Sequence, residues 1–442
     1  MIIARAACLA TALLAAPITA QAAPVLMISV DGLRPGDVLD ADARGLKLPV
    51  LRGLVANGAY ASGVRNVLPT VTYPNHTTII TGVWPSRHGI PNNVVFDPLQ
   101  KNMGGWYWYA RDIKVPTLWD AVHKSGGKVA SFSWPVSVGA DSIDYNIPEY
   151  WRARLPEDLK LLRAVSTKGL VDELEKSTGL TLAQTNADTA QTDGGRARFA
   201  AALIAARKPH FTTVHLSALD HAQHDDGPGS GSAKTTLEAL DAVIGKLIAD
   251  ARKAQPDLVV ALVSDHGFAE VKHNINLVRP FAEAGLLTLD PATRKPTRWD
   301  AAPWGGASVA VVLSRPQDAA LKAKVAGLLD RLAAKPELGI ARILDAKAIA
   351  QIGGTPMASF WVDFKPGYQM GQDPAAPLIG PGSPKGMHGY VPTHPEMRAT
   401  LIIAGPGIPK KALGEVDMRD IAPTLAKLMK VSLPSADGKP LF

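Results

Sequence analysis

The sequence predicts an α/β protein with a mostly parallel central sheet and helices on both faces of that sheet. Continuous apolar runs, typical of strands buried on both faces, recur along the chain, and helix-like segments separate them. This alternation of strand and helix favours a parallel sheet. The clearest runs are Val25–Val30, Lys128–Trp134, Phe211–Leu216, Leu258–Ser264 and Thr400–Ala404.

The connecting segments carry a helical pattern, most clearly over Thr236–Ala254, where apolar residues recur at spacings of three and four. Two Gly/Pro-rich stretches, Pro291–Gly306 and Pro366–Gly386, bracket a helix-rich segment, Asp318–Ile352. We interpret that part as a small cap inserted at about 279–385 into one catalytic domain, which would span residues 23–442.

The N-terminus of the 442-residue chain has the layout of a secretory signal peptide. Arg5 precedes an apolar run that ends in small residues at Ala20-Gln21-Ala22. We predict a cleaved signal peptide over 1–22 and a periplasmic or secreted protein. The only cysteine, Cys8, lies in that segment, so the mature chain would have no thiol. Disulfides, thiolate zinc sites, iron–sulfur clusters and a cysteine nucleophile are then excluded, and any metal needs His and carboxylate ligands.

The charge of the chain indicates little about partners. The formal net charge is +7, but the 47 Lys and Arg residues are scattered, which disfavours a nucleic-acid patch. After the signal peptide, no stretch is long and apolar enough to predict a membrane span. A small anionic substrate fits this balance, and the sequence indicates no oligomeric state.

Acidic residues follow three of the apolar runs, and two of them have a histidine nearby. Carboxyl ends of strands form the ligand-binding edge of an open α/β sheet, so these side chains are expected to converge there. Each acid could instead cap a helix, but three together favour a metal site. With a histidine from Gly-Met-His-Gly-Tyr there are six candidate ligands, enough for two divalent ions. They are Asp31, Asp220, His224, Asp265, His266 and His388.

A candidate nucleophile lies between the first two acids. A Thr/Pro-rich turn leads into Asn75–Ile80, which has the pattern of a helix start. Thr72 would lie at or just before that helix N-terminus, where N–H groups and the dipole stabilise negative charge. From the residues alone Thr70, Thr72, Thr77 and Thr78 compete, and a plain capping role fits any of them equally well.

Several motifs in order carry a resemblance to a known family. They are PTVTYPNHTTIITGVWPSRHGI from residue 69, preceded by Asp31-Gly32 and followed by DHAQH, SDHG and MHGY. This pattern closely resembles the nucleotide pyrophosphatase/phosphodiesterase family of the alkaline phosphatase superfamily. The match runs from Asp31 to about Gly389 and implies an alkaline phosphatase-like fold.

The resemblance also implies roles for individual residues. Thr72 would be the nucleophile, and two divalent ions, zinc before manganese or iron, would be held by two sets of ligands. The first set is Asp220, His224 and His388, and the second is Asp31, Asp265 and His266 with Thr72 bridging towards it. Asn93, in preference to Asn92, would hold a phosphoryl oxygen. Tyr73 and Tyr150 would stack the base or another portion of the substrate.

The chain departs from the family pattern in two respects. Animal members of the family are disulfide-rich and carry extra domains, and this chain resembles instead the compact bacterial form. The family's D-x-x-G-H reads Asp220 to His224 here, with Gln223 in place of glycine.

Two histidines of the motif are not among the candidate ligands. We interpret His76 and His88 as hydrogen-bonded structural residues. Trp106–Tyr109 is interpreted as core packing in preference to a groove wall.

These observations predict an exported two-metal phosphodiesterase or nucleotide pyrophosphatase that forms a covalent phosphothreonine. One alternative is a phosphate monoesterase of the same superfamily. Such enzymes often place a Lys-x-Arg pair after a mid-chain strand, but here Trp134-Pro135 ends that run with no such pair. A catalytically inactive zinc-binding protein is the second alternative. Nucleoside pyrophosphates, nucleotide sugars and lipid head-group diesters all remain open as substrates.

Overall fold

The structure is a computed structural model, and it describes residues 22–102, 105–152, 155–371 and 373–442. Residues 1–21 of the predicted signal peptide lie outside the described residues. Within those ranges, no helix combines the length and the apolar character needed to cross a membrane.

The strands of the described residues are short and span the whole chain. They are β1 (Val25–Val30), β2 (Ala59–Tyr60), β3 (Gly63–Arg65), β4 (Val129–Phe132), β5 (Tyr145–Ile147), β6 (Phe211–Leu216), β7 (Val259–Val263), β8 (Ala269–Ile275), β9 (Leu287–Leu289), β10 (Pro296–Trp299), β11 (Ala301–Gly305), β12 (Ser308–Leu313), β13 (Ile340–Asp345), β14 (Ala358–Phe364), β15 (Gly367–Met370), β16 (Ile379–Pro381), β17 (Gly386–Met387), β18 (Leu401–Ala404), β19 (Lys411–Ala412) and β20 (Glu415–Asp417).

The helices alternate with these strands in the first half of the chain. They are α1 (Pro35–Leu39), α2 (Pro49–Asn57), α3 (Thr72–Thr81), α4 (Pro85–His88), α5 (Leu118–Lys124), α6 (Asp158–Val165), α7 (Leu170–Thr178), α8 (Ala190–Arg207), α9 (Ala218–Asp226), α10 (Gly231–Ala254), α11 (Val278–Glu283), α12 (Ala319–Ala333), α13 (Ala346–Gln351) and α14 (Ile421–Met429).

Eight strands of the described residues form the central sheet, in the order β19-β2-β18-β7-β1-β6-β4-β5. From β7 to β5 every neighbouring pair is parallel. The run predicted at Thr400–Ala404 is the exception, because β18 pairs antiparallel with both β7 and β2. The predicted α/β class with a mostly parallel sheet is confirmed.

Strand β1 shows why the apolar runs are continuous. Its alternate residues Leu26, Ile28 and Val30 pack in one hydrophobic cluster with helices α8 and α10. Val25 and Met27 point to the opposite face and pack with residues of α3, α5 and α14. Because helices cover both faces, every position of a central strand is buried, and no polar alternation remains in the sequence.

Two helices begin earlier than the sequence pattern predicted. Helix α10 begins at Gly231, five residues before the predicted start at Thr236, because the Ser230 hydroxyl accepts the N–H of Ala233 as a cap. Helix α3 begins at Thr72 itself, with Val71 as its extended N-cap residue. The predicted position of Thr72 at a helix N-terminus is therefore what the structure shows.

The segment predicted as a helical cap contains more strand than expected. A four-stranded antiparallel sheet runs in the order β11-β12-β14-β13, and β13 separates helices α12 and α13. Its buried side chains form a hydrophobic cluster of their own around Val309, Val311 and Val362. Strands β10, β11, β15 and β16 lie within the two Gly/Pro-rich stretches, where the sequence pattern did not predict strands. The boundary of an inserted unit at about 279–385 stays a prediction.

The continuous burial of β1 gives a test of the fold. Leu26 has no exposed surface, so Leu26→Ala should lower the free energy of unfolding by about 2–5 kcal/mol, through lost apolar burial and the cavity left behind. Leu161 on α6 is 37% exposed. Leu161→Ala should therefore stay within about 0.5 kcal/mol of the unsubstituted protein. Denaturant unfolding measures both values, and equal losses in the two variants would contradict this packing.

Candidate active site and metal centre

Thr72 differs from the other candidate threonines in what its hydroxyl contacts. The Thr70 hydroxyl donates to the carbonyl of Tyr390, that of Thr77 to the carbonyl of Tyr73, and that of Thr78 to the carbonyl of Val83. The Thr72 hydroxyl instead lies 3.4 Å from Nε2 of His266. It is therefore the hydroxyl of this group that faces the candidate metal ligands.

One group of candidate ligands follows two neighbouring parallel strands. Asp31 follows β1, and Asp265 and His266 follow β7, so the pairing of these strands brings the three side chains together. Their ligand atoms lie within 4.8 Å of one another. Nε2 of His266 is 3.3 Å from Asp31 Oδ1 and 3.0 Å from Asp265 Oδ2.

A second group is built around helix α9. Asp220 lies in its first turn and His224 one turn later, with His224 Nε2 3.4 Å from Asp220 Oδ2. His388, from the loop after β17, places Nε2 3.6 Å from Asp220 Oδ1. The ring of His388 stacks on that of His266 at 3.6 Å, so His266 lies between the two groups and belongs to the second one as well.

The imidazoles of His224, His266 and His388 are each oriented by a hydrogen bond from Nδ1 to a backbone carbonyl. Nδ1 of His224 donates to the Gly386 carbonyl at 2.9 Å, and Nδ1 of His388 donates to the Thr70 carbonyl at 3.1 Å. Nδ1 of His266 donates to the carbonyl of Gly267, also at 3.1 Å. A proton fixed on Nδ1 leaves Nε2 as the free base, which is the form that ligates a metal.

The carboxylates repel one another at this site. Burial raises the pKa of Asp31 well above its ordinary range, and the carboxylates of Asp265 and Asp220 add to that shift. Burial also raises the pKa of Asp220. Asp265 is the exception: burial acts in the same direction, but His266 and His76 outweigh it and lower its pKa. Such crowding of negative charge is electrostatically suited to a cation.

The histidines show the complementary effect. Burial alone would lower the pKa of His266, but Asp265 raises it to about 9. Burial lowers the pKa of His388 well below the ordinary value, and His266 and His224 lower it further. In the metal-free chain, His266 therefore carries the proton that partly compensates the carboxylates, while His388 stays neutral.

The residues present fit a divalent metal centre. Three buried carboxylate oxygens, Asp31 Oδ1, Asp220 Oδ1 and Asp265 Oδ2, accept no hydrogen bond from the described residues. Buried acceptors normally find a partner, and unpaired ones are costly. Carboxylate oxygens together with imidazole nitrogens and no sulfur are the donor set of zinc and of harder divalent ions.

Two further histidines hold the ligand carboxylates, and the sequence assigned neither of them that role. His215 Nε2 lies 3.0 Å from Asp31 Oδ2, and its Nδ1 donates to the Ser133 carbonyl. His76 Nδ1 donates to the Thr72 carbonyl and lies 3.5 Å from Asp265 Oδ2. The available signal for His215 was an ionisable residue inside strand β6, which is buried along its whole length.

The N-terminus of helix α9 is held by a buried ion pair between Asp193 and Arg196. Asp193 of α8 accepts the N–H groups of Ser217 and Ala218, which begin α9, and its carboxylate pairs with Arg196 at 2.8 Å. Gln223, which stands where the family motif has glycine, donates to the Gly32 carbonyl after β1. These contacts fix the helix that carries Asp220 relative to the loop after Asp31.

Asn93 lies directly beside the helix N-terminus of Thr72. Its Oδ1 accepts the Tyr73 N–H at 2.8 Å, so its Nδ2 is left as the side-chain donor. Asn92 Oδ1 accepts the Asn93 N–H, which holds the turn in place. This arrangement favours Asn93 over Asn92 as the side chain facing Thr72. It also means that the Tyr73 N–H already donates to the Asn93 side chain.

The predicted stacking residues lie in an aromatic cluster. Tyr73 is fully buried, and the rings of Trp106 and Trp108 pack on it at 5.1 and 5.9 Å. Tyr150 packs against Trp108 at 5.3 Å, and Trp151 packs against both tryptophans. Trp108 is core packing as expected, whereas Trp106 also lines a cavity next to the metal-site residues. A stacking role for Tyr73 and Tyr150 stays a prediction.

Comparisons of sequence agree with this geometry. The family model described as type I phosphodiesterase / nucleotide pyrophosphatase matches residues 25–391. Human ectonucleotide pyrophosphatase/phosphodiesterase family member 1 is 26% identical over 258 residues, which are 56% of this chain and 24% of that protein. Venom phosphodiesterase of Macrovipera lebetinus is 24% identical over 267 residues, 58% of this chain and 26% of that protein. The chain thus spans about a quarter of these relatives' length.

Solved structures share the fold over almost the full chain. Murine ectonucleotide pyrophosphatase/phosphodiesterase 5 superposes with a TM-score of 0.65 at 20% identity, and the human protein with 0.67 at 18%. An inactive variant of the murine protein in complex with AMP gives 0.66 at 19%. All three comparisons cover 94% of this chain and 97% of the other chain. At these identities the likeness establishes an alkaline phosphatase-like fold. Together with the family match, it shows that the chain belongs to the type I phosphodiesterase/nucleotide pyrophosphatase family.

Proposed function

We propose that this protein is an exported phosphodiesterase or nucleotide pyrophosphatase that cleaves phosphodiester or phosphoanhydride bonds through a phosphothreonine at Thr72. The observation that carries the proposal is the position of the Thr72 hydroxyl. It lies at the N-terminus of α3, 3.4 Å from His266 and beside two groups of ligand side chains. Family membership and the names of the relatives support this reaction class.

Two divalent ions, zinc in the first place, are part of the proposal. Asp31, Asp265 and His266 would hold one ion near Thr72, and Asp220, His224 and His388 would hold the other. Bound divalent ions would supply Lewis acidity, lowering the pKa of a hydroxyl or water and neutralising charge on phosphoryl oxygens. His266 belongs to both groups of ligand atoms, which supports two adjacent sites.

The residues of the chain define the two chemical steps. Thr72 Oγ1 forms a bond to phosphorus as the bond from phosphorus to the leaving oxygen breaks, and its hydroxyl proton is released. Water then attacks phosphorus, the bond to Thr72 Oγ1 breaks, and Thr72 takes up a proton. Nδ2 of Asn93 and the positive N-terminal end of the α3 dipole would stabilise the negatively charged phosphoryl oxygens.

Phosphodiesters are favoured over phosphate monoesters as substrates by the charges around the site. Among the described residues, the ion-pair partners of Asp31, Asp220 and Asp265 are all histidines. A monoester carries one more negative charge than a diester, and no Lys or Arg pairs with these carboxylates to compensate it. The AMP bound to the related murine protein makes nucleotides the first substrates to test.

Replacement of the nucleophile tests the mechanism directly. Thr72→Ala should lower kcat by on the order of 10³-fold or more, since of the four candidate threonines Thr72 is the one whose hydroxyl faces the ligands. Its zinc content, measured by atomic absorption, should stay unchanged, which separates loss of the nucleophile from loss of the metal. Thr72→Ser keeps a hydroxyl and should retain part of the activity. Full activity of purified Thr72→Ala would refute the assignment.

A paired assay decides between diesterase and monoesterase. We expect kcat/KM for thymidine 5′-monophosphate para-nitrophenyl ester to exceed that for para-nitrophenyl phosphate. Among the described residues, the ion-pair partners of the ligand carboxylates include no Lys or Arg that could compensate the second monoester charge. Both reactions release the same phenolate, so absorbance reports each directly. A preference for the monoester would favour the phosphatase alternative, and zinc binding without turnover of either would favour an inactive protein.

Metal binding should depend on pH through His266. Because Asp265 raises the pKa of His266 to about 9, its ring is protonated at neutral pH in the metal-free chain and must lose that proton to ligate. Zinc affinity should therefore rise about tenfold per pH unit between about 7 and 9. Calorimetry in two buffers of different ionisation enthalpy should detect one released proton. Affinity that does not change over this range would contradict the assignment of His266.

A further inference from the structure

A separate pocket lies against helix α9, between the segment that follows β1 and helix α10. Its volume is about 360 Å³, which is within the range of small-molecule sites. The six candidate metal ligands and Thr72 are not among the residues that line it. We call it the cationic pocket, after the charged residues in its wall, which are Arg34, Arg44, Lys234 and Asp37.

The charges of the cationic pocket do not cancel. Three cationic side chains face one carboxylate, so the described residues that line the pocket carry a surplus of two positive charges. Asp37 is buried and accepts three hydrogen bonds of 2.8 Å, from Nε and Nη2 of Arg34 and from Nη1 of Arg44. This carboxylate therefore fixes both guanidinium groups in place but neutralises only one of them.

The two arginines keep donors that Asp37 does not use. Nη1 of Arg34 and Nε and Nη2 of Arg44 donate to no other described residue. Lys234 is half-buried and forms no ion pair within the described ranges. Guanidinium groups held in a fixed orientation bind the oxygens of phosphate and carboxylate groups well, because little side-chain entropy is lost on binding. The pocket thus presents oriented donors to an oxyanion.

The remaining wall of the cationic pocket is largely apolar. Leu46, Leu219, Ala233 and Leu237 line it, and all four side chains are buried in the fold. An apolar surface of this kind favours a compact hydrophobic group, which gains free energy by leaving water. The pocket therefore suits an anion that carries two negative charges at one end and a small apolar group at the other.

This charge balance differs from that of the candidate metal centre. The ion-pair partners of Asp31, Asp220 and Asp265 within the described part of the chain are histidines. Hydrolysis of a phosphodiester releases a phosphate monoester, which carries one more negative charge than the diester. The cationic pocket matches the charge of that product class, and its surplus of two positive charges equals the two negative charges of a monoester.

We propose that the cationic pocket is a second binding site, which takes a phosphate monoester dianion with a small apolar group. Binding there requires neither a metal nor Thr72, so the proposal goes beyond the proposed function. The site would nevertheless be adjacent to the catalytic centre. Gln223 lines the pocket, donates to the Gly32 carbonyl beside Asp31, and precedes the candidate ligand His224 on α9.

Phenylphosphonate tests the site, because its carbon–phosphorus bond resists hydrolysis and it carries two charges at alkaline pH. It is titrated calorimetrically into zinc-loaded protein and into protein freed of metal by a chelator that is then dialysed away. Circular dichroism checks that both forms are folded. We expect one phenylphosphonate per chain to bind without metal. Absence of this metal-independent binding in the folded protein would overturn the proposal.

Two analogues test the assigned ligand class. Benzenesulfonate has the same ring and a tetrahedral oxyanion with one charge, and its metal-independent affinity should be about tenfold lower or less, since it loses charge-assisted contacts. Methylphosphonate keeps the charges but lacks the ring, and it should also bind about tenfold more weakly or worse, because it buries less apolar surface. Equal affinities for phenylphosphonate and benzenesulfonate would contradict a site for dianions.

Matched lysine variants on helix α10 locate the binding. Lys234→Ala, in the pocket wall, should weaken metal-independent binding of phenylphosphonate by about tenfold, and so should Arg44→Ala. Lys246 lies on the same helix, pairs with Asp250 and does not line the pocket. Lys246→Ala should therefore keep the affinity of the unsubstituted protein. Unchanged binding in both pocket variants, or an equal loss in Lys246→Ala, would overturn the location.

Binding in the cationic pocket and catalysis fail separately in this design. Metal-independent binding of phenylphosphonate by a protein that hydrolyses no diester would support the pocket and contradict the proposed function. Hydrolysis of diesters by a protein without metal-independent binding would support the proposed function and overturn the second site.

Discussion

The burial of three carboxylates around one imidazole is the constraint on which the rest of this structure depends. Asp31, Asp220 and Asp265 each contribute a buried oxygen that accepts no hydrogen bond from the described residues, and His266 lies among them. Buried charges of one sign are unfavourable unless paired or bound to a cation. A fold that holds them together must therefore supply both precise anchoring and a compensating positive charge.

The anchoring comes from elements that converge at one edge of the sheet. Parallel strands β1 and β7 deliver Asp31 and Asp265, and the buried Asp193–Arg196 pair caps the helix that carries Asp220. His215 and His76 hold the outer sides of the ligand carboxylates. Because each ligand is restrained by groups that do not face the site, the cluster is organised before any ion or substrate binds.

The segment of the chain from β11 to the loop after β17 contributes to the site and its surroundings. Strand β17 and the following loop deliver His388, so this part of the chain contributes to the ligand cluster as well as to the cavity wall. Trp304 of β11, Met387 of β17 and Trp106 line the cavity next to the site.

The sequence by itself determined the α/β class and the family, and it predicted the convergence of six candidate ligands, because apolar runs and short motifs are local patterns. It left four threonines in competition, and only the tertiary structure separated them, through the carbonyl partners of Thr70, Thr77 and Thr78. The sheet hidden in the Gly/Pro-rich stretches, the role of His215, the covering of Tyr73 and the cavity also depended on the folded chain. These features are contacts between residues far apart in sequence, for example His215 with Asp31, and such contacts leave no periodic signal in the chain.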